Sequence, residues 1–91
     1  MKKLAVDRLT QERVESTVNE VLSELESAWS MFPRPQASAH EGFAVLLEEV
    51  DELKDAVWLK PSHHMRQDAI LKEARQVAAM AIRLIVELND E

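Results

Sequence analysis

Apolar residues along this chain recur at helical spacing. Val14, Val18, Val21, Leu25, Ala28 and Phe32 follow one another at steps of four and three, with Glu12, Glu15, Glu20 and Glu24 mostly on other faces. At ~100° per residue this is one stripe of a helix. The spacing predicts a first helix over about Gln11 to Met31. Pro33-Arg34-Pro35 then fixes backbone angles and removes backbone donors, so the chain turns there. Ser38-Ala39-His40-Glu41 has the spacing of a capping box and predicts a second helix from about Ala39 to Leu59, with Phe43, Leu46, Val50, Leu53 and Val57 as its apolar stripe. Pro61 ends that helix, and Ser62 stands where it would cap a third, over about His63 to Leu88.

The third pattern is wider than the others. Ile70, Leu71, Ala74, Val77, Ala78, Ala81, Ile82, Ile85 and Leu88 cover an arc too broad for a helix with one neighbour, so this helix should be central. Its alanines at 74, 78, 79 and 81 permit close approach, and Met80 and Leu84 extend the arc beyond what an isolated three-helix unit needs. An all-α fold follows, with three main helices and short joints. Its four-helix-bundle core would be completed by oligomerisation.

Composition agrees with that reading. One glycine, three prolines and no tyrosine leave few residues for sheets and tight turns. At 91 residues there is room for one domain, residues 1–91, and the absence of cysteine removes disulfides and thiolate metal sites, so partner subunits are the natural source of missing stability. Residues 1–9 and Asn89-Asp90-Glu91 are the segments expected to be least ordered. The net charge of -6 disfavours a grip on nucleic-acid phosphates, and Arg83 interrupts the most apolar run, so no membrane span is expected. Met1 to Val6 is followed by Asp7 and Arg8 rather than by an apolar segment, so no signal peptide is read and the expected location is cytoplasmic.

The chemistry lies in the carboxylates. Glu41, Glu48, Glu52 and Asp55 fall close to one line of the second helix, with Glu49 on its flank. Pairs at three and four residues can aim two carboxylates at one point, where like charges repel unless a cation compensates them. Glu73 lies on the rim of the apolar third helix, where a bare carboxylate is expensive to desolvate. If the second and third helices pack antiparallel, as the short Lys60-Pro61-Ser62 joint encourages, Glu73 comes opposite Glu48, Glu49 and Glu52. Such a set of hard oxygen donors suits Mg²⁺ or Mn²⁺ completed by substrate phosphates.

Residues Ala39-His40-Glu41-Gly42-Phe43-Ala44-Val45-Leu46-Leu47-Glu48-Glu49-Val50-Asp51-Glu52-Leu53, followed by Glu73-Ala74-Arg75-Gln76-Val77-Ala78-Ala79-Met80-Ala81, resemble the E-E-x-x-E…E-x-x-D pattern of MazG-like pyrophosphohydrolases. The resemblance is to a small single-domain branch and spans about Ser38 to Leu88. It implies an all-α fold, a homodimer or homotetramer, and Mg²⁺-dependent hydrolysis of a nucleoside triphosphate to monophosphate and pyrophosphate. It also implies Glu49, Glu52 and Glu73 as metal ligands, with Glu48 a further ligand or the base that orients water. Gln76 stands where the family has aspartate; its amide oxygen can ligate but brings no charge. The alternative is a helical interaction or nucleotide-binding module whose metal site has degenerated.

Weaker candidates remain. His40, Lys60 and Arg66 are candidate substrate contacts, and Arg34, His63 and His64 are further basic or imidazole groups in the joints. Adjacent His63 and His64 would point ~100° apart on a helix and so do not make a zinc pair. Trp29 and Trp58 are expected to be packing anchors. There is no phosphate-cradling glycine loop and no nucleophile pairing.

Overall fold

The computed structural model describes residues 1–89 and is all-helical, with α1 at Arg8–Met31, α2 at Ala39–Val57 and α3 at Arg66–Asn89. Among the described residues there is no strand, and no helix is long and apolar enough to cross a membrane. Asp90 and Glu91 lie outside the described residues.

The helix ends follow from local chemistry. Asp7 caps α1 by accepting from the Thr10 N–H at 2.8 Å, so the helix begins at Arg8, before the expected Gln11. Gln11 bonds back to the residues before the helix, accepting from the Leu4 N–H at 2.8 Å and donating to the Lys2 carbonyl at 3.2 Å. Ser38 caps α2 through the Glu41 N–H as expected, while the Glu41 carboxylate accepts from the Ala37 N–H instead of from Ser38. The expected Ser62 cap does not form. Residues 61–65 make turns, His63 Nδ1 accepts from the Met65 N–H at 3.1 Å, and α3 starts only at Arg66. The Arg66 guanidinium reaches back to the Val57 carbonyl, through Nε at 3.3 Å and Nη2 at 3.1 Å, and satisfies the C-terminus of α2.

As expected, α3 is central: it packs against both α1 and α2, which do not pack on each other. Helix α2 runs antiparallel to α3, for Arg66 meets Val57 at one end and Gly42 meets Leu84 at the other. The product is a flat layer with extents of 41 × 35 × 21 Å. Its core is small, with Val21, Leu25, Ala79 and Met80 buried, and Ala28, Trp29, Val45 and Leu46 among those packed around them.

The phase of α2 differs from the sequence reading. Gly42, Glu49 and Ala56, spaced by seven residues, lie on the line facing α3, with Gly42 and Ala56 buried and Glu49 half-buried. Phe43 and Val50, expected in the core, are exposed together with Leu47. Small residues win the contact line because they let the helices approach. An added Cβ at Gly42 would lie 2.5 Å from Leu84 Cδ1 and 2.8 Å from Gln36 Oε1, so those side chains would have to move. Phe32, expected to continue the α1 stripe, is also exposed, as is Trp58, which is 75% exposed and anchors nothing in this chain.

Helix α3 carries an unexpected polar line. Glu73, Gln76, Met80, Arg83 and Glu87 recur at steps of three and four, and only Met80 is apolar. Arg83, read from the sequence as an interruption, is 4% exposed. Its Nε bonds Glu87 at 3.0 Å, and its Nη2 donates to the carbonyls of Phe32 at 2.8 Å and Arg34 at 2.9 Å. Glu87 also accepts from the Gln36 N–H at 3.1 Å and from the Trp29 indole at 3.4 Å. The proline joint is thereby fastened to α3 from both of its ends.

Burial pushes the Glu87 carboxyl up, but the Gln36, Arg83 and Trp29 hydrogen bonds and the Arg83 charge outweigh it, leaving the group below its ordinary value. A carboxyl lowered in the folded state stabilises at pH above its unfolded value, and that contribution is lost as pH falls through the lowered folded value. Glu87→Gln strands a buried guanidinium and is expected to cost about 3–5 kcal/mol at neutral pH. It should also flatten the loss of stability on acidification, as read by denaturant unfolding on either side of the carboxylate range.

Candidate metal centre and adjoining cleft

Antiparallel packing of α2 on α3 decides which carboxylates meet. Glu49 faces α3 from the middle of the packed line, Glu52 stands one turn further along, and Glu73 comes up from α3. One carboxylate oxygen from each of Glu49, Glu52 and Glu73 lies within 4.8 Å of the other two. Glu49 and Glu73 are half-buried and Glu52 is exposed, so the cluster sits at the edge of the interface, open to water on one side. Glu48 is exposed beside it, and Asp51 and Asp55 are solvated as expected.

The charges repel, and the proton affinities record it. Desolvation raises the Glu49 carboxyl, helped by the negative charges of Glu52 and Glu73, by a hydrogen bond shared with Glu52, and by the charge of Glu48. Desolvation also raises Glu73, followed by its hydrogen bond with Glu52 and the Glu52 charge, with Lys72 opposing. With Glu49 and Glu73 both raised, the cluster is a donor set that a divalent cation would relieve, and its three carboxylates are the hard oxygen ligands Mg²⁺ or Mn²⁺ takes.

Gln76 is tied to α1 through its amide nitrogen. Its Nε2 donates to Glu24 Oε2 on α1 at 2.6 Å, near the surface pair of Arg75 with Glu20 at 3.0 Å. Glu24 is the residue the sequence reading overlooked, having been placed among charges off the α1 stripe. It is half-buried, and its position three residues after buried Val21 and directly before buried Leu25 was the available sign.

A cleft of about 790 Å³ lies between α1 and α2, within the range of small-molecule sites. Glu24 and Ala28 line it from α1, Val45, Glu48 and Glu49 from α2, and the proline joint closes one end. Its floor is α3, through Gln76, Met80 and Arg83. Glu49 thus belongs both to the cleft and to the carboxylate cluster.

The weaker substrate candidates are elsewhere. His40 and Lys60 are exposed and neither lines the cleft, and Arg66 is half-buried, engaged with the Val57 carbonyl. Arg34 does line it. His63 and His64 precede α3 and stack with ring centroids 5.2 Å apart and planes within 5°, because a turn rather than a helix sets their directions. Trp29 is half-buried and packs on the core.

The Gln76–Glu24 bond has a direct test. Gln76→Glu sets two carboxylates against each other, and is expected to cost the metal-free protein about 1–3 kcal/mol. Adding Glu24→Gln exchanges donor and acceptor and should restore most of that loss in a double-mutant cycle read by thermal or denaturant unfolding. No family model matches this chain, and no curated protein or solved structure matches it.

Proposed function

We propose that this chain is a Mg²⁺-dependent nucleoside triphosphate pyrophosphohydrolase that cleaves a (d)NTP to (d)NMP and pyrophosphate in the cytoplasm as part of nucleotide-pool housecleaning. The observation that carries the reading is the meeting of Glu49, Glu52 and Glu73 at the margin of a nucleotide-sized cleft. The MazG-like order of the same glutamates supports it.

Glu49, Glu52 and Glu73 would hold Mg²⁺, with Mn²⁺ an alternative. Such a cation, when bound, supplies Lewis-acid polarisation at the α-phosphate and neutralises phosphate charge. Glu48, on the cleft wall one residue before Glu49, would be a further ligand or the base that orients a water and accepts its proton. Gln76, held by Glu24, contributes an amide at the cleft floor where the family pattern has a charge. That engagement also favours a second reading, a nucleotide-binding module without turnover.

Oligomerisation completes the proposal. A folded monomer of 10.4 kDa should expose about 5,400 Å² by the general scaling with mass, whereas this chain exposes 7048 Å². The excess is about twice the area that each partner of a standard protein interface buries, about 800 Å². Phe43, Leu47 and Val50, at steps of four and three on one side of α2, offer an apolar stripe for a second copy in a homodimer or homotetramer.

Pure protein with Mg²⁺ and a panel of canonical and damaged (d)NTPs is expected to release pyrophosphate, and silence across the panel would leave only the binding module. Glu52→Gln and Glu73→Gln should each abolish turnover. Because it removes a repelling charge, Glu73→Gln should also stabilise the metal-free protein by about a few tenths of a kcal/mol, seen as a higher melting temperature in chelator. Light scattering after gel filtration should give a dimer or tetramer for the natural chain and a smaller species for Leu47→Glu with helicity retained; an unchanged mass would remove the α2 stripe from the interface.

A further inference from the structure

The buried pair Arg83–Glu87 touches no carboxylate of the candidate metal centre, yet every hydrogen bond it makes outside itself runs to α1 or to the proline joint. Arg83 grips the carbonyls of Phe32 and Arg34, and Glu87 grips the N–H of Gln36. These are alternate residues of one short segment, and each of the three also lines the cleft. Two prolines in the segment, Pro33 and Pro35, have no N–H to give, so the backbone donor that Glu87 takes comes from Gln36, while the Phe32 and Arg34 carbonyls accept from Arg83. With side-chain exposures of 5% and 11%, the two charges are held away from water, which is costly unless they are fully paired.

We infer that Arg83 and Glu87 are positioning residues for substrate: they hold the proline joint as a fixed wall of the cleft, against which the nucleoside portion of a bound triphosphate is placed. The inference rests on the hydrolase reading above. Glu48 and Glu49 line the same cleft from α2, so phosphates held at the carboxylate end through a divalent cation would leave the nucleoside to occupy the remaining volume. An unfastened joint would have to be ordered at each binding event, weakening binding without altering the groups that act on the phosphates. Lysine cannot replace the arginine, because a single ammonium does not reproduce a planar fork reaching two carbonyls and a carboxylate at once.

The test compares a nucleoside triphosphate with inorganic tripolyphosphate, both with Mg²⁺, on the full chain. Arg83→Lys is expected to raise KM for the nucleoside triphosphate about tenfold or more, with kcat within about twofold and tripolyphosphate kinetics unchanged. Gln36 amide exchange should accelerate in the same variant while the Ala79 amide keeps its protection. If Arg83→Lys does not fold, Gln36→Pro serves instead, because it deletes the N–H that Glu87 accepts and leaves the two charges paired. The same selective rise in KM is then expected. An unchanged KM, or losses that fall equally on both substrates, would overturn the wall while leaving the hydrolase standing. A natural chain silent on every triphosphate would overturn the hydrolase reading and the substrate role of the wall together.

Discussion

One constraint governs this fold: α1 and α2 meet only through α3. In most small helical domains each helix touches two others and the core closes on itself. Here the outer helices are held apart, a cleft opens between them, and the middle helix must serve as packing partner to both while forming its floor. That is why a helix rich in alanine and isoleucine also carries Glu73, Gln76, Arg83 and Glu87 along one line. These polar groups answer three neighbours: Glu73 the α2 carboxylates, Gln76 the Glu24 carboxylate of α1, and Arg83 with Glu87 the joint between them.

The same constraint explains why polar groups can be so deeply placed in so small a chain. Arg83 and Glu87 sit where the proline joint crosses α3, and a segment with two prolines has backbone carbonyls in excess of backbone donors. A guanidinium is suited to that imbalance because it donates in several directions from one plane. At the other end of the line the imbalance is reversed: three carboxylates gather, and desolvation together with the neighbouring negative charge raises the proton affinity of Glu49 and of Glu73.

Helix number, order and approximate bounds were legible from spacing, because proline joints and the Ser38 and Glu41 pattern are local signals. Glu49, Glu52 and Glu73 were legible as a group because helix period and antiparallel packing together bring them to one place. The rotational phase of α2 was not. Phe43 and Val50 are as apolar as any core residue, and hydrophobicity does not separate a side chain packed inside a subunit from one left on its surface. The better guide was the heptad spacing of Gly42 and Ala56, which marks close approach and places Glu49 between them. Arg83 was misread because a charged residue within an apolar run looks like an interruption unless its bonding partners, in a joint some fifty residues away, are known. The late start of α3 was missed for a related reason, since His63 Nδ1 rather than the Ser62 hydroxyl accepts a backbone N–H ahead of that helix.

Glu73 and Glu87 are separated by fourteen residues of unbroken α3, a stiff rod about 21 Å long. Any rotation of that rod about its axis is shared along its length. At a side-chain radius of about 5–6 Å, a turn of roughly 10° sweeps a carboxylate through about 1 Å. Torque applied where the joint is fastened would therefore reappear at the distant acidic end as a change in the spacing of Glu73 from Glu49 and Glu52, coupling the joint to the carboxylate cluster through one shaft.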